Sequence, residues 1–143
     1  MSSIRLDVAF CEYFIITGLW SIVLNDKAKQ IFSRQITLPE VGQKGQEELE
    51  DTGILIVGMG GLGCPVAQYL ISSGIGYLTM MDPDKVELSN ISRQPLYTEE
   101  NVGILKVDAA KDVLSLINPN AVINVVSDCL LYTSPSPRDS YGS

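Results

Sequence analysis

The sequence predicts an α/β fold, a mostly parallel sheet with flanking helices, truncated after the third strand. Two observations carry that expectation. Aliphatic runs of strand length alternate with segments of helical periodicity, in the order strand, helix, strand, helix, strand. The first strand also runs straight into a glycine-rich turn that opens a helix, which is the junction a right-handed parallel crossover needs. With 143 residues, 45% of them hydrophobic, the chain can build one domain with a real core and is short for two.

The elements follow in order. Asn25 is placed to cap a first helix over "DKAKQIFSRQ", and "GQKGQEELED" predicts a second short helix ending near Gly53. "ILIVG", 54–58, is a continuous aliphatic run of the kind buried on both faces of a parallel sheet. Beyond it Pro65 suits the first helical position, and Val66, Ala67, Leu70 and Ile71 recur on one face until Gly74, which can close the helix in the left-handed conformation. "YLTMMD", 77–82, is the second strand. After a polar loop, "GILKVDAAKDVLSLI" places Leu105, Ala109, Val113 and Leu116 or Ile117 at helical spacing, and Asn118-Pro119 stops it. "AVINVV", 121–126, is the third strand.

Both ends read differently from this middle. Residues 1–24 include "YFIITGLWSIVL", too short to span a bilayer and without a convincing cleavage pattern after it. They are expected to be a doubtful leader, an added strand or helix, or translation from a misplaced start, with coding from near Val23. "CLLYTSPSPRD", 129–139, reads codon for codon like a transposase sequencing adapter. Residues 129–143 are therefore expected to be adapter-derived, or else a Ser/Pro-rich disordered tail, leaving 25–128 as the organised segment.

Composition removes several function classes. A formal net charge of −7 disfavours nucleic acid and anionic membranes as general partners, so any phosphate site must be local. No histidine is present, which excludes imidazole bases, histidine triads and histidine-rich metal sites. Three scattered cysteines, Cys11, Cys64 and Cys129, form no CxxC, so neither a disulfide framework nor a zinc site is indicated and a reducing cytoplasm is expected.

"GMGGLG", Gly58 to Gly63, is the central motif. Gly58 permits a tight exit from the strand, Gly60 lets backbone approach a phosphate without a Cβ in the way, and Gly63 allows close packing of helix on strand. Gly61 lies in the same loop, and free N–H groups near Leu62 to Cys64 point at an anion. Asp82, at the end of the next strand, can accept hydrogen bonds from ribose hydroxyls. Loop and acid together define a Rossmann-like adenosine-nucleotide seat and leave ATP and NAD(P) both open.

"DPDKVELSNISRQPLY", 82–97, adds polar groups that a nicotinamide enzyme does not need. Asn90, Arg93 and Gln94 can bind further phosphates, a guanidinium pairing with phosphate bidentately. Lys106, in the first turn of the next helix, is a cation where the helix dipole disfavours one, and a phosphate would compensate it. Asp84 reads as a solvated loop carboxylate rather than a metal ligand, and Cys64 as a small apolar residue at a helix start.

Four blocks, "FSRQITLPEVGQKGQEEL" (32–49), "ILIVGMGGLGCPVAQYLISSGIGYLTMMDPDKVELSNISRQ" (54–94), "VGILK" (102–106) and "INPN" (117–120), together resemble the ubiquitin-activating-type adenylyltransferases of the ThiF, HesA and MoeB kind. The resemblance covers about the N-terminal half of such a protein. It implies ATP- and Mg2+-dependent adenylation of the C-terminal glycine of a ubiquitin-like sulfur-carrier protein, with release of pyrophosphate. Within it Gly58, Gly60, Gly61 and Gly63 form the nucleotide loop, Asp82 holds the ribose, and Asn90, Arg93 and Lys106 contact the phosphates. Arg34 matches an arginine that reaches the partner subunit's ATP site, which implies a homodimer. Leu105 stands where the family commonly has proline. The magnesium-binding aspartate and the CxxC pairs that hold Zn2+ in some members lie beyond Asp128 in the family. An NAD(P)-binding oxidoreductase domain and a non-catalytic nucleotide-binding or dimerisation module are the alternatives.

Overall fold

The computed structural model describes residues 24–128. The readings of 1–23 and 129–143 therefore lie outside the described residues. The chain divides into two compact units, one up to Glu47 and one from Glu48.

In the first unit, helix α1 (Asp26–Ile31) and the single turn α2 (Ser33–Ile36) occupy the stretch expected to be one helix. Phe32 breaks it, with φ −94° and ψ 14°. Asn25 caps α1 as expected, its Oδ1 accepting from the Ala28 N–H at 2.9 Å. Leu24, Ala28 and Phe32 are buried together, and Ile36 packs against them. Helix α3 (Gly42–Glu50) carries the chain across the boundary between the units.

The second unit contains strand β1 (Gly53–Val57), helix α4 (Gly63–Ser73), strand β2 (Tyr77–Met81), helix α5 (Lys106–Ile117) and strand β3 (Val122–Val126). The sheet order is β1-β2-β3, with both pairings parallel and in continuous register from Gly53↔Tyr77↔Val122 to Val57↔Met81↔Val126. The fold is thus the Rossmann-like α/β arrangement the sequence predicts.

Because the strands advance in one direction, crossovers of one hand put α4 and α5 on the same side of the sheet. Ile56, Leu78, Met80 and Ile123 face those helices and join Cys64, Ala67, Ile71, Val107, Ala110 and Leu114 in one core. The expectation that β1 is buried on both faces is corrected accordingly. Leu55 and Val57, on the side opposite the helices, remain 56% and 54% exposed.

The helical stripes also differ in detail from the sequence reading. Helix α4 begins at Gly63, so Pro65 is its third residue, where its missing N–H still costs no intrahelical bond. Cys64, Ala67 and Ile71 are its buried residues, and Val66 points outward. Helix α5 starts at Lys106 and buries Val107, Ala110 and Leu114 alongside Lys106 and Ala109, leaving Leu116 exposed. Gly74 ends α4 with φ +97°, as its position predicts.

The polar segment 83–105 is closed at its base. Lys85 and Leu105 form an antiparallel bridge, Val86 N–H donates to Ile104 O at 2.8 Å, and Lys106 N–H donates to Asp84 O at 2.9 Å. Val86, Leu96 and Tyr97 are buried and anchor it to the core. Among the described residues no helix is long and apolar enough to cross a membrane.

Candidate functional site

The site lies at the carboxyl ends of β1 and β2, where loops of an open parallel sheet collect. Gly58 leaves β1 with φ +92°, a conformation that favours glycine, and its N–H donates to Met81 O at 2.8 Å. The loop then folds back so tightly that a Cβ on Gly63 would stand 2.0 Å from the Gly58 carbonyl oxygen. The glycine is needed there for the loop's own closure, more than for packing the helix on the strand.

Gly60 and Gly61 are different. A Cβ on Gly60 would meet nothing nearer than Gln94 Nε2 at 3.9 Å, and one on Gly61 nothing nearer than Arg93 O at 3.7 Å. Neither has a positive φ. The protein itself thus leaves room for side chains at both positions, and the sequence fills neither.

Asp82 is buried, and both of its carboxylate oxygens accept main-chain N–H groups. Oδ2 takes the Met59 N–H and Oδ1 the Asp84 N–H at 2.8 Å, so the acid ties the glycine loop to the loop after β2. Each oxygen retains a further lone pair for a ligand hydroxyl.

The segment after β2 carries the other expected residues, of which the Arg93 carbonyl and Gln94 Nε2 come nearest the bare positions of Gly61 and Gly60. Asn90 is buried, and its Oδ1 accepts the Glu87 N–H at 3.1 Å in a local cap. Arg93 is exposed, with Nη1 donating to Ser89 O at 2.8 Å, and keeps further donors. Gln94 is 4% exposed, yet its Oε1 has no hydrogen-bond partner, an orphan acceptor beside Gly60.

Lys106 is 8% exposed and pairs with Asp84, Nζ to Oδ2 at 3.1 Å. The cation expected to await a phosphate is therefore already compensated at the start of α5, and Asp84 is an ion-pair partner rather than a purely solvated carboxylate. Arg34 lies in the first unit, exposed in the last turn of α2.

Met59 and Tyr97 escaped the sequence reading of the site, while Cys64 is buried at the start of its helix, which bears out its reading as a small apolar residue there. Met59 occupies a variable position of the glycine motif but is fully buried. Its carbonyl accepts from the Tyr97 hydroxyl at 2.8 Å and from the Cys64 thiol at 3.4 Å. The signal available was Leu96-Tyr97, an apolar pair ending an otherwise polar loop, whose phenol needs a partner once buried.

Burial pushes the Cys64 thiol above its ordinary value, and burial likewise raises the Tyr97 phenol, with the Cys64 hydrogen bond adding to it. Raised acids stay neutral in the folded state while the unfolded chain ionises, from about pH 8.5 for a thiol and about pH 10 for a phenol. Stability is thus complete below those values and falls as pH rises through them. The thermal midpoint of the protein is expected to drop more between about pH 8 and about pH 10 than that of Cys64→Ala, and parallel pH profiles by circular dichroism would contradict a neutral buried thiol.

Residues 32–137 match the ThiF family. The chain belongs to the ThiF family. Among curated proteins, this ThiF-family chain is 47% identical over 107 residues to the molybdopterin-synthase adenylyltransferase of Escherichia coli (strain K12), covering 75% of the chain and 43% of that relative. It is 48% identical over 99 residues to the adenylyltransferase and sulfurtransferase MOCS3 of Drosophila willistoni, covering 69% of the chain and 22% of that protein. The chain thus spans less than half the length of these curated relatives. Among solved structures it is similar to E. coli tRNA N6-threonylcarbamoyladenosine dehydratase, TcdA, in complex with ATP. The TM-score is 0.69 at 34% identity, over 75% of this chain and 43% of that one. E. coli MccB with ATP matches with a TM-score of 0.59 at 32% identity, over 59% of this chain and 25% of the other.

Proposed function

We propose that this ThiF-family chain supplies the nucleotide-binding part of an ATP-dependent adenylyltransferase. The substrate in this reading is the C-terminal glycine carboxylate of a ubiquitin-like sulfur-carrier protein. The observation that carries the reading is the bare surface at Gly60 and Gly61, lying against Gln94 and Arg93 with room the protein does not use. Named relatives that are adenylyltransferases, and neighbours solved with ATP, support it.

The carrier carboxylate attacks the α-phosphorus, a C–O–P linkage forms, and the bond to the β-phosphate oxygen breaks to release pyrophosphate. Such a displacement needs placement and charge neutralisation more than an acid or base, which suits a chain without histidine. Backbone N–H groups at the uncrowded glycines, before α4, take the phosphates, because the Cys64 and Val66 N–H groups at the helix start already donate to Gly60 O and Leu62 O. Asp82 uses its remaining lone pairs on the ribose. Arg93, Asn90 and Gln94 line the same approach. Lys106 would exchange Asp84 for a phosphate oxygen as pyrophosphate charge develops. Arg34 is assigned to the ATP site of a second copy, in a homodimer located in the cytoplasm.

ATP fits the residues present. Magnesium, which would neutralise phosphate charge, finds among the described residues no group of three candidate ligands, so no step is routed through it. The same holds for Zn2+, which is implied only for a longer protein.

The test is ATP–pyrophosphate exchange by the full-length protein, with a purified ubiquitin-like protein ending in glycine as acceptor. Arg93→Ala and Lys106→Ala are expected to lower the exchange rate by about 10²-fold each, the loss typical when one transition-state charge donor is removed. Affinity for NADH with none for ATP would overturn the adenylyltransferase reading in favour of an oxidoreductase.

A further inference from the structure

Met59 is held at both of its backbone polar groups. Its N–H donates to Asp82 Oδ2, and its carbonyl accepts from Tyr97 Oη at 2.8 Å and Cys64 Sγ at 3.4 Å. Tyr97 sits three residues beyond Gln94, and the Tyr97 N–H donates to Gln94 O at 3.1 Å. One buried hydroxyl therefore bonds the glycine loop to the segment that carries Arg93 and Gln94, two pieces of chain 38 residues apart.

We infer that Tyr97 is a positioning residue for the nucleotide: its hydroxyl, acting through the Met59 carbonyl, fixes the glycine loop against the Arg93–Gln94 segment. This rests on the adenylyltransferase reading of the site. The hydroxyl is the strongest donor available to that carbonyl, since the thiol at 3.4 Å is a weak one. The same peptide unit continues into the Gly60 N–H, so a change at the Met59 oxygen alters the orientation of the first amide of the uncrowded part of the loop. Tyr97 reaches no ligand itself, being 3% exposed with its hydroxyl spent on the carbonyl.

The test is Tyr97→Phe in the full-length protein, which keeps the ring in the core and removes only the hydroxyl. Two readouts are taken, the amide 15N resonance of Gly60 without nucleotide and the equilibrium Kd for ATP by calorimetry. The expected result is a selective upfield move of the Gly60 nitrogen, whose peptide carbonyl has lost its donor, together with an ATP Kd raised about ten-fold. A merely structural tyrosine would lower the thermal midpoint and move the Gly60 nitrogen, but leave the ATP Kd in place. Wild-type binding of ATP matched by Tyr97→Phe would overturn the positioning role alone. Wild-type protein that binds no ATP would overturn the reading of the site and the positioning role with it, while the Gly60 shift still reports the hydrogen bond. If Tyr97→Phe does not fold, 3-fluorotyrosine placed at position 97 preserves the shape with a stronger donor. It is then expected to move the Gly60 nitrogen downfield and to change the ATP Kd with it. An unmoved resonance would overturn the tie through the Met59 carbonyl, and a moved resonance with an unchanged Kd would overturn the positioning role.

Discussion

Gly63→Ala is expected to unfold the protein or to lower its thermal midpoint by roughly 15–30 °C, the equivalent of about 4 kcal/mol in a domain of this size. The added methyl would stand 2.0 Å from the Gly58 carbonyl oxygen and 3.0 Å from its carbon. Both atoms are backbone, so no side-chain rotation relieves the overlap. Gly58 cannot move away freely either, because its N–H is bonded to Met81 O at 2.8 Å and its φ of +92° is already of the kind only glycine adopts easily. The helix gains a little propensity from alanine, less than about 1 kcal/mol, which does not offset the clash. A calorimetric or circular-dichroism melt decides the matter, and a midpoint within a few degrees of wild type would show that the loop relaxes in a way the geometry does not indicate.

Gly60→Ala is expected to do the opposite: fold and melt like wild type, and lose ATP. The nearest atom to the new methyl is Gln94 Nε2 at 3.9 Å, ordinary van der Waals contact, and the backbone at Gly60 has no positive φ. The methyl would instead occupy the space into which the proposed phosphate must come, raising the Kd for ATP by about 10²-fold or more on steric grounds alone. Binding calorimetry on a protein of verified thermal midpoint makes the measurement. Unchanged affinity would mean that the nucleotide does not approach this loop, and the ATP reading would then lose its main support. The contrast between two glycines three residues apart separates the glycine the fold needs from the glycine the ligand needs.

Much of this was legible in the residues. The alternation of "ILIV", "YLTMMD" and "AVINVV" with helical segments gave the three parallel strands, and Asn25, Gly58 and Gly74 act where capping and positive-φ logic place them. Asp82, Asn90, Arg93, Gln94 and Lys106 lie in the same unit as the glycine loop. Other features were hidden because they depend on contacts far apart in sequence. Periodicity cannot tell that β1 is covered on one side only, since that follows from the order of the strands. Nor could spacing show that Lys106 already has Asp84 as a partner 22 residues away, or that Met59 is bonded at both its N–H and its carbonyl. The stripe on α5 was legible in part: Ala109 is buried and Leu105 and Val113 pack against the core as the spacing predicts, while Val107, Ala110 and Leu114, buried more deeply, were not singled out.

Asp82 serves two masters, and that complicates the interpretation of any inactive variant at this position. Its carboxylate holds the Met59 and Asp84 N–H groups, so truncating it removes a structural tie along with the proposed ribose contact. Loss of activity in Asp82→Ala would therefore be ambiguous between a deformed loop and a missing recognition group. The separation has to be made from the ligand's side: 2′-deoxy and 3′-deoxy ATP delete the hydroxyl and leave the protein intact, which assigns the recognition energy to the sugar without disturbing the scaffold that presents it.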